Sequence, residues 1–314
     1  MFLLYPIAEL EALGRKEVIL FLFFLIIVIF SAKKYDAKII NKLIFFICPI
    51  ICLIWEQIVL FFPFFAVVLI IKNNLKTFKQ VFQRLLIVFA PGILTFVYIF
   101  ATPLSQNGHQ LMCNFLNSEF GEKCYTSASM LISSTIYFDT LWVHTNANFE
   151  HYLRYVLIFL IGFLPLNILI SKSNFITKNN FITKNFRLSS LFILLYSPSL
   201  FLFVFGYDWG RWINITYAFS ILFYIYLIKN LIITNRIKIK NSTWNKIVKN
   251  KILLSFIFII FAFSWNPKTV MMGDVATNSA YKIIYNTSKK IFNFKGIRLF
   301  QDSPIIKFHK NYIE

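Results

Sequence analysis

Apolar residues fall in long runs separated by short polar stretches, at 18–32, 43–55, 58–71, 85–101, 152–170, 188–206, 213–228 and 252–265. Runs that recur through nearly a whole chain must face hydrocarbon or each other, and a helix satisfies its own backbone there. The pattern predicts an all-α fold, a polytopic transmembrane helix bundle of about eight segments. Several runs fall short of the roughly 20 residues of a full span, so they recruit flanking residues, sit where protein shields them, or stop short of crossing. Residues 1–265 form the transmembrane helical domain, with an outer loop at 102–151, and 266–314 form a C-terminal tail.

Composition agrees: 58% hydrophobic residues, 19% aromatic residues and a mean hydropathy of +0.67 lie outside the range of a soluble domain. The net charge of +19 brings nucleic acid to mind, but the lysines cluster between apolar runs, as orientation signals do, so no nucleic-acid partner is expected. The clusters are Lys33, Lys34, Lys38 and Lys42; Lys72, Lys76, Lys79 and Arg84; Lys172, Lys178, Lys184 and Arg187; and Lys229, Arg236, Lys238, Lys240, Lys246, Lys249 and Lys251. All fit one side, the cytoplasmic one. That puts the N-terminus, the loop 102–151, the turn 206–212 and the tail outside. The tail is itself basic, and the denser cluster ahead of 252–265 decides its side. No cleavable signal peptide precedes the first run, and the polar approach FLLYPIAELEALGRKE reads as a connecting loop. NFITKN occurs at 174–179 and again at 180–185, a duplication expected in a solvated connector. Cys48 and Cys52 lie inside an apolar run, whereas Cys113 and Cys124 flank a polar stretch of the outer loop, where a disulfide and two free thiols are both open.

Three polar motifs interrupt the apolar pattern on the predicted outer side. Trp55-Glu56-Gln57 divides a stretch, 39–71, that would be about 50 Å long as one helix. Broken there, it becomes a hairpin with arms of about 22 Å and Pro49 and Pro63 breaking both arms, which leaves Glu56 recessed below the surface. A recessed carboxylate must be paired or line a wet cavity, so it is a functional candidate. Gly206-Tyr207-Asp208-Trp209-Gly210-Arg211-Trp212 joins two runs almost without a loop, and its acid and base, three apart, share a helical face and pair or aim at one ligand. The guanidinium fork of Arg211 suits a phosphate or diphosphate. Gly14-Arg15-Lys16-Glu17 precedes the first run and places positive charge where the orientation trend expects none. His109, His144 and His151 lack a metal-ligand spacing, and no metal or cofactor is expected. Asp274 is read as part of a solvated loop.

Taken with GRKE before a span, the pattern WEQxxxFFPF and GYDWGRW between two spans, the chain resembles the bacterial O-antigen and exopolysaccharide polymerases (Wzy- or EpsG-like). That resemblance implies an enzyme of surface polysaccharide biosynthesis, a glycosyltransferase of the inner membrane. Its partners would be polyprenyl-diphosphate-linked glycan, membrane lipid and other polysaccharide-assembly proteins. It implies that Glu56 or Asp208 accepts the proton of the attacking sugar hydroxyl, with Gln57 among the residues that bind the substrate. Arg15 and Arg211 would hold the diphosphate, and Trp209 and Trp212 would stack on sugar rings. Such proteins carry ten or more spans and a His where Trp55 stands, which leaves Glu56 the only titratable group of its triplet. The alternatives are a multi-span lipid-phosphate-sugar glycosyltransferase and a transporter or flippase of lipid-linked glycan, the latter expected to show internal repeats and charges along several helices.

Overall fold

The structure, a computed structural model, describes residues 16–33, 35–102, 105–121, 155–156, 158–206, 208–235 and 250–256, with the single residues 287, 290 and 291. It is mostly helical. In chain order the longer helices are α1 (Lys16–Ala32), α2 (Ala37–Ile54), α3 (Phe62–Lys72), α4 (Phe78–Ala101), α5 (Gln106–Phe120), α6 (Leu164–Ser171), α7 (Phe181–Asn185), α8 (Leu188–Phe205) and α9 (Trp209–Lys229). Among the described residues three helices, α2, α4 and α9, are long and apolar enough to cross a membrane. The predicted segment 252–265 lies largely outside the described residues, as does the tail.

α9 is the axis of the bundle. It is buried nearly all round, and Phe219 at its centre packs against Phe21, Phe24, Phe61, Phe64 and Phe65 with ring centroids 4.4 to 6.1 Å apart. Edge-on and offset aromatic contacts of this kind exploit the ring quadrupole as well as burying area. α1 turns Leu20, Phe24, Ile27 and Val28 inward at helical spacing. α4 is a rim helix: Leu86, Ile87, Leu94, Val97 and Phe100 point outward, an apolar face suited to lipid. Where α4 does touch the bundle it passes very close to α2, and a Cβ at Gly92 would lie 2.8 Å from Cβ of Cys48. Small residues at helix crossings permit this approach.

The break expected in the stretch 39–71 occurs at Trp55, which is extended, with φ −160° and ψ 105°. A tight 3-10 turn, Glu56–Phe61, follows before α3 begins. Pro63 explains the change, since it lacks an N–H and its ring would collide with the carbonyl four residues back, whereas the first turn of a new helix accepts it. Pro49 behaves otherwise than expected: it sits inside an unbroken α2. The first arm is longer than predicted, about 27 Å, because α2 recruits polar residues from Ala37 onward at its start.

Hydrogen bonds and ion pairs between the connections sort them onto two ends. At one end the Lys72 ammonium donates to the carbonyls of Ser31 (3.0 Å) and Lys33 (2.8 Å). Asn41 and Asn73 exchange amide hydrogen bonds there, and Phe181 N–H donates to the Leu75 carbonyl at 2.7 Å. A two-stranded antiparallel ribbon, β1 (Ser173–Phe175) with β2 (Ile233–Asn235), closes this lysine-rich end and is a departure from an all-helical chain. The NFITKN duplication corrects an expectation as well. The first copy contributes to β1, while the second forms α7 with Asn180 as its cap and with Ile182 and Thr183 buried, so it is a packed element and not a solvated connector.

Candidate functional site

The opposite end gathers the polar motifs. α1 begins there with Lys16 and Glu17, the α2 break presents Trp55, Glu56 and Gln57, and α9 begins there with Asp208 as its N-terminal flank and Arg211 in its first turn. Arg211 pairs with Glu17 across the bundle, and its Nη1 lies 2.7 Å from Oδ2 of Asp208 one turn away. The pairing of Asp208 with Arg211 follows from their spacing. The pairing with Glu17 could not be read from spacing. Side-chain exposure is 8% for Glu17, 19% for Arg211 and 26% for Asp208, so the clamp is set into the protein with Asp208 at its wetter side. Oε2 of Glu17 is buried and meets no hydrogen-bond donor among the described residues.

Gln57 joins the same construction, because its Oε1 accepts a hydrogen bond from Nε1 of Trp212 at 3.1 Å. Trp209 donates from Nε1 to the Gly206 carbonyl at 2.7 Å. Both indoles are buried, each 2% exposed. Trp209 packs on Tyr155 and Phe203, and Trp212 stacks on Phe203 and closes against Gly206. In this structure both rings pack on the protein, where they hold the α8–α9 turn.

Glu56 and Lys16 differ from the clamped residues. Glu56 is half-buried, and among the described residues its carboxylate has neither a hydrogen bond nor an ion pair. The Lys16 ammonium likewise has no ion pair or hydrogen bond there, and lies 5.9 Å from the ring centroid of the buried Trp55. Lys16 stands two residues ahead of the first apolar run. Burial lowers its affinity for the proton, the charge of Glu56 opposes this, Arg211 adds to it, and Glu17 and Asp208 oppose it. Five ionisable groups from three distant motifs thus share one electrostatic environment, three of them carboxylates.

Of the residues expected to form a site, Glu56, Gln57, Asp208, Trp209, Arg211 and Trp212 come together at this end. Arg15, Tyr207 and Cys124 lie outside the described residues. Cys113 is disulfide-bonded. Lys16 and Glu17 join them. The sequence marks both as part of the GRKE motif, whose positive charge stands against the orientation trend, but it named Arg15 as the ligand-binding residue of that motif. Among the described residues no group of three or more His, Cys, Asp or Glu is placed to hold a metal ion. The fold and site together define a mostly helical protein with three helices, among the described residues, long and apolar enough to cross a membrane and an acid–base cluster at one end. No family model matches the chain, and neither a curated protein nor a solved structure matches it.

Proposed function

We propose that the chain is a membrane enzyme of bacterial surface polysaccharide biosynthesis, transferring or polymerising oligosaccharide carried on polyprenyl diphosphate at the outer face of the cytoplasmic membrane. The observation that carries this reading is the uncommitted carboxylate of Glu56. Glu56 sits in a helix break beside the Glu17–Arg211–Asp208 clamp, where the three motifs that resemble the polymerases meet. Of the two candidate carboxylates, Asp208 is engaged with Arg211 and Glu56 is not, so Glu56 is the proton acceptor. In the reaction the acceptor sugar's hydroxyl gives its proton to Glu56 as its oxygen bonds to the anomeric carbon. The anomeric C–O bond to the diphosphate breaks, and polyprenyl diphosphate leaves with the electron pair. The lysine-rich end is then cytoplasmic, and the N-terminus and tail lie outside.

The test is the length distribution of surface and lipid-linked glycan on gels, from cells carrying either the wild-type chain or Glu56→Gln at matched membrane levels. Loss of the ladder with single repeat units left on the outer leaflet is the expected result. An unchanged ladder overturns the reading, and repeat units retained on the inner leaflet turn it toward a flippase.

A further inference from the structure

We propose that Lys16, and not Arg211, is the cation that meets the phosphate of a lipid-linked ligand at this end of the bundle. Arg211 was the natural choice from its chemistry, but both its neighbours are carboxylates. Glu17 holds it from α1 and Asp208 from its own helix, at 2.7 Å in the second case. A guanidinium held between two carboxylates presents no net positive charge to an incoming anion, and withdrawing it would strand the 8%-exposed side chain of Glu17. Arg211 is on this argument a positioning residue, which ties the start of α1 to the start of α9.

Lys16 has the opposite character. Its ammonium is half-buried, and a half-buried cation with no hydrogen-bonded or ion-paired partner among the described residues has donors to spare. Trp55 supplies a buried aromatic face 5.9 Å from it, which attracts the cation without using any of its N–H donors. Glu56, one residue beyond Trp55, shares its electrostatic environment. An anion bound at Lys16 therefore arrives beside the uncommitted carboxylate, with charge-assisted hydrogen bonds to the ammonium. The ligand class this fits is a phosphate or diphosphate ester on a lipid. The assignment rests on the proposed function only for the lipid-diphosphate identity of that ligand, since the engagement of Arg211 and the availability of Lys16 stand apart from it.

The probe is farnesyl diphosphate, titrated into the full chain in phosphatidylcholine nanodiscs, with wild type, Lys16→Met, Lys16→Arg and Arg211→Lys compared. Lys16→Met is expected to weaken binding about tenfold or more, the loss of one charge-assisted contact to phosphate. Lys16→Arg should restore binding to within about threefold and Arg211→Lys should stay within about threefold, because both keep the charge. Folding is followed by thermal unfolding of each sample, and Lys16→Arg shows that the position tolerates change. Wild-type affinity in Lys16→Met overturns the proposal, as does a tenfold loss confined to Arg211→Lys. Equal competition by phosphatidylglycerol in the nanodisc overturns the diphosphate part of the assignment. A ladder unchanged by Glu56→Gln alongside Lys16-dependent binding would remove the polymerase reading and leave this one standing.

Discussion

Replacing Arg211 with Met tests the clamp directly. The substitution keeps an unbranched chain of similar reach and removes the charge, leaving the Glu17 carboxylate at 8% exposure with no cation against it. Removing one partner of a buried ion pair costs about 3–5 kcal/mol, most of it the desolvation of the charge left behind. Arg211 is 19% exposed and Asp208 26%, so part of the field is already screened by solvent and the lower end, about 3 kcal/mol, is expected. Asp208 adds little, since solvent already reaches its 26%-exposed side chain. The single variant Glu17→Met should cost less, because the guanidinium it frees keeps Asp208 as a partner. The double variant Glu17→Met with Arg211→Met replaces the pair by apolar groups and should recover at least half of the loss, giving a coupling energy of about 2 kcal/mol. Thermal unfolding in detergent, followed by tryptophan fluorescence, reads this well because Trp55, Trp209 and Trp212 all lie at this end. If the effects of the two single variants simply add, to within about 0.5 kcal/mol, the two residues are not coupled and the clamp is not what joins α1 to α9.

Two further outcomes are expected. Gly92→Ala should destabilise the protein by about 1–3 kcal/mol through overpacking, read as a lower unfolding temperature. The closest clash, with Cβ of Cys48 at 2.8 Å, is with an atom fixed to its backbone that cannot swing aside, and the tip of the Phe62 ring lies at 3.0 Å; an unfolding temperature equal to wild type would mean that α2 and α4 do not cross there. Alkylation of the denatured chain without reductant should label Cys48 and Cys52 but not Cys113, and prior reduction should expose Cys113. In the folded protein Cys48 and Cys52 should resist the reagent, as both are buried, and peptide mass mapping distinguishes every case.

What could be read in the chain and what could not divide by sequence distance. The pairing of Asp208 with Arg211 and the break at the Trp55 triplet are local. The first follows from helical spacing, and the second from Pro63, which disfavours a helix interior and is accepted in the first turn of α3. Pro49 shows the limit of that argument, for the same residue type is carried through α2 without a break. NFITKN shows it more sharply, since one hexapeptide enters a strand and the next, identical, forms a buried helix. Their neighbours differ: the first copy has β2 to pair with, while the second has its Phe181 N–H held by the Leu75 carbonyl. The Glu17–Arg211 pair and the Gln57–Trp212 hydrogen bond, the latter 155 residues apart in the chain, carry no period at all. They could be anticipated only as far as the alternation of helix direction puts their residues on one end.

That alternation also explains why roles assigned by residue type were redistributed once the motifs met. Arg211 and the tryptophans have the side chains best suited to phosphate and sugar, and for the same reason they are the strongest structural partners available to a neighbouring carboxylate, amide or ring. Glu17 takes Arg211, Gln57 takes the Trp212 N–H, and Phe203 takes both indole faces. Under the proposed function, ligand-directed chemistry at this end falls to the charged groups without a hydrogen-bonded or ion-paired partner among the described residues, Lys16 beside the Trp55 ring and Glu56 next to Trp55 in the chain. A site in a membrane bundle is in this sense defined by subtraction, because polar side chains there are too costly to leave idle unless a ligand or water is to meet them.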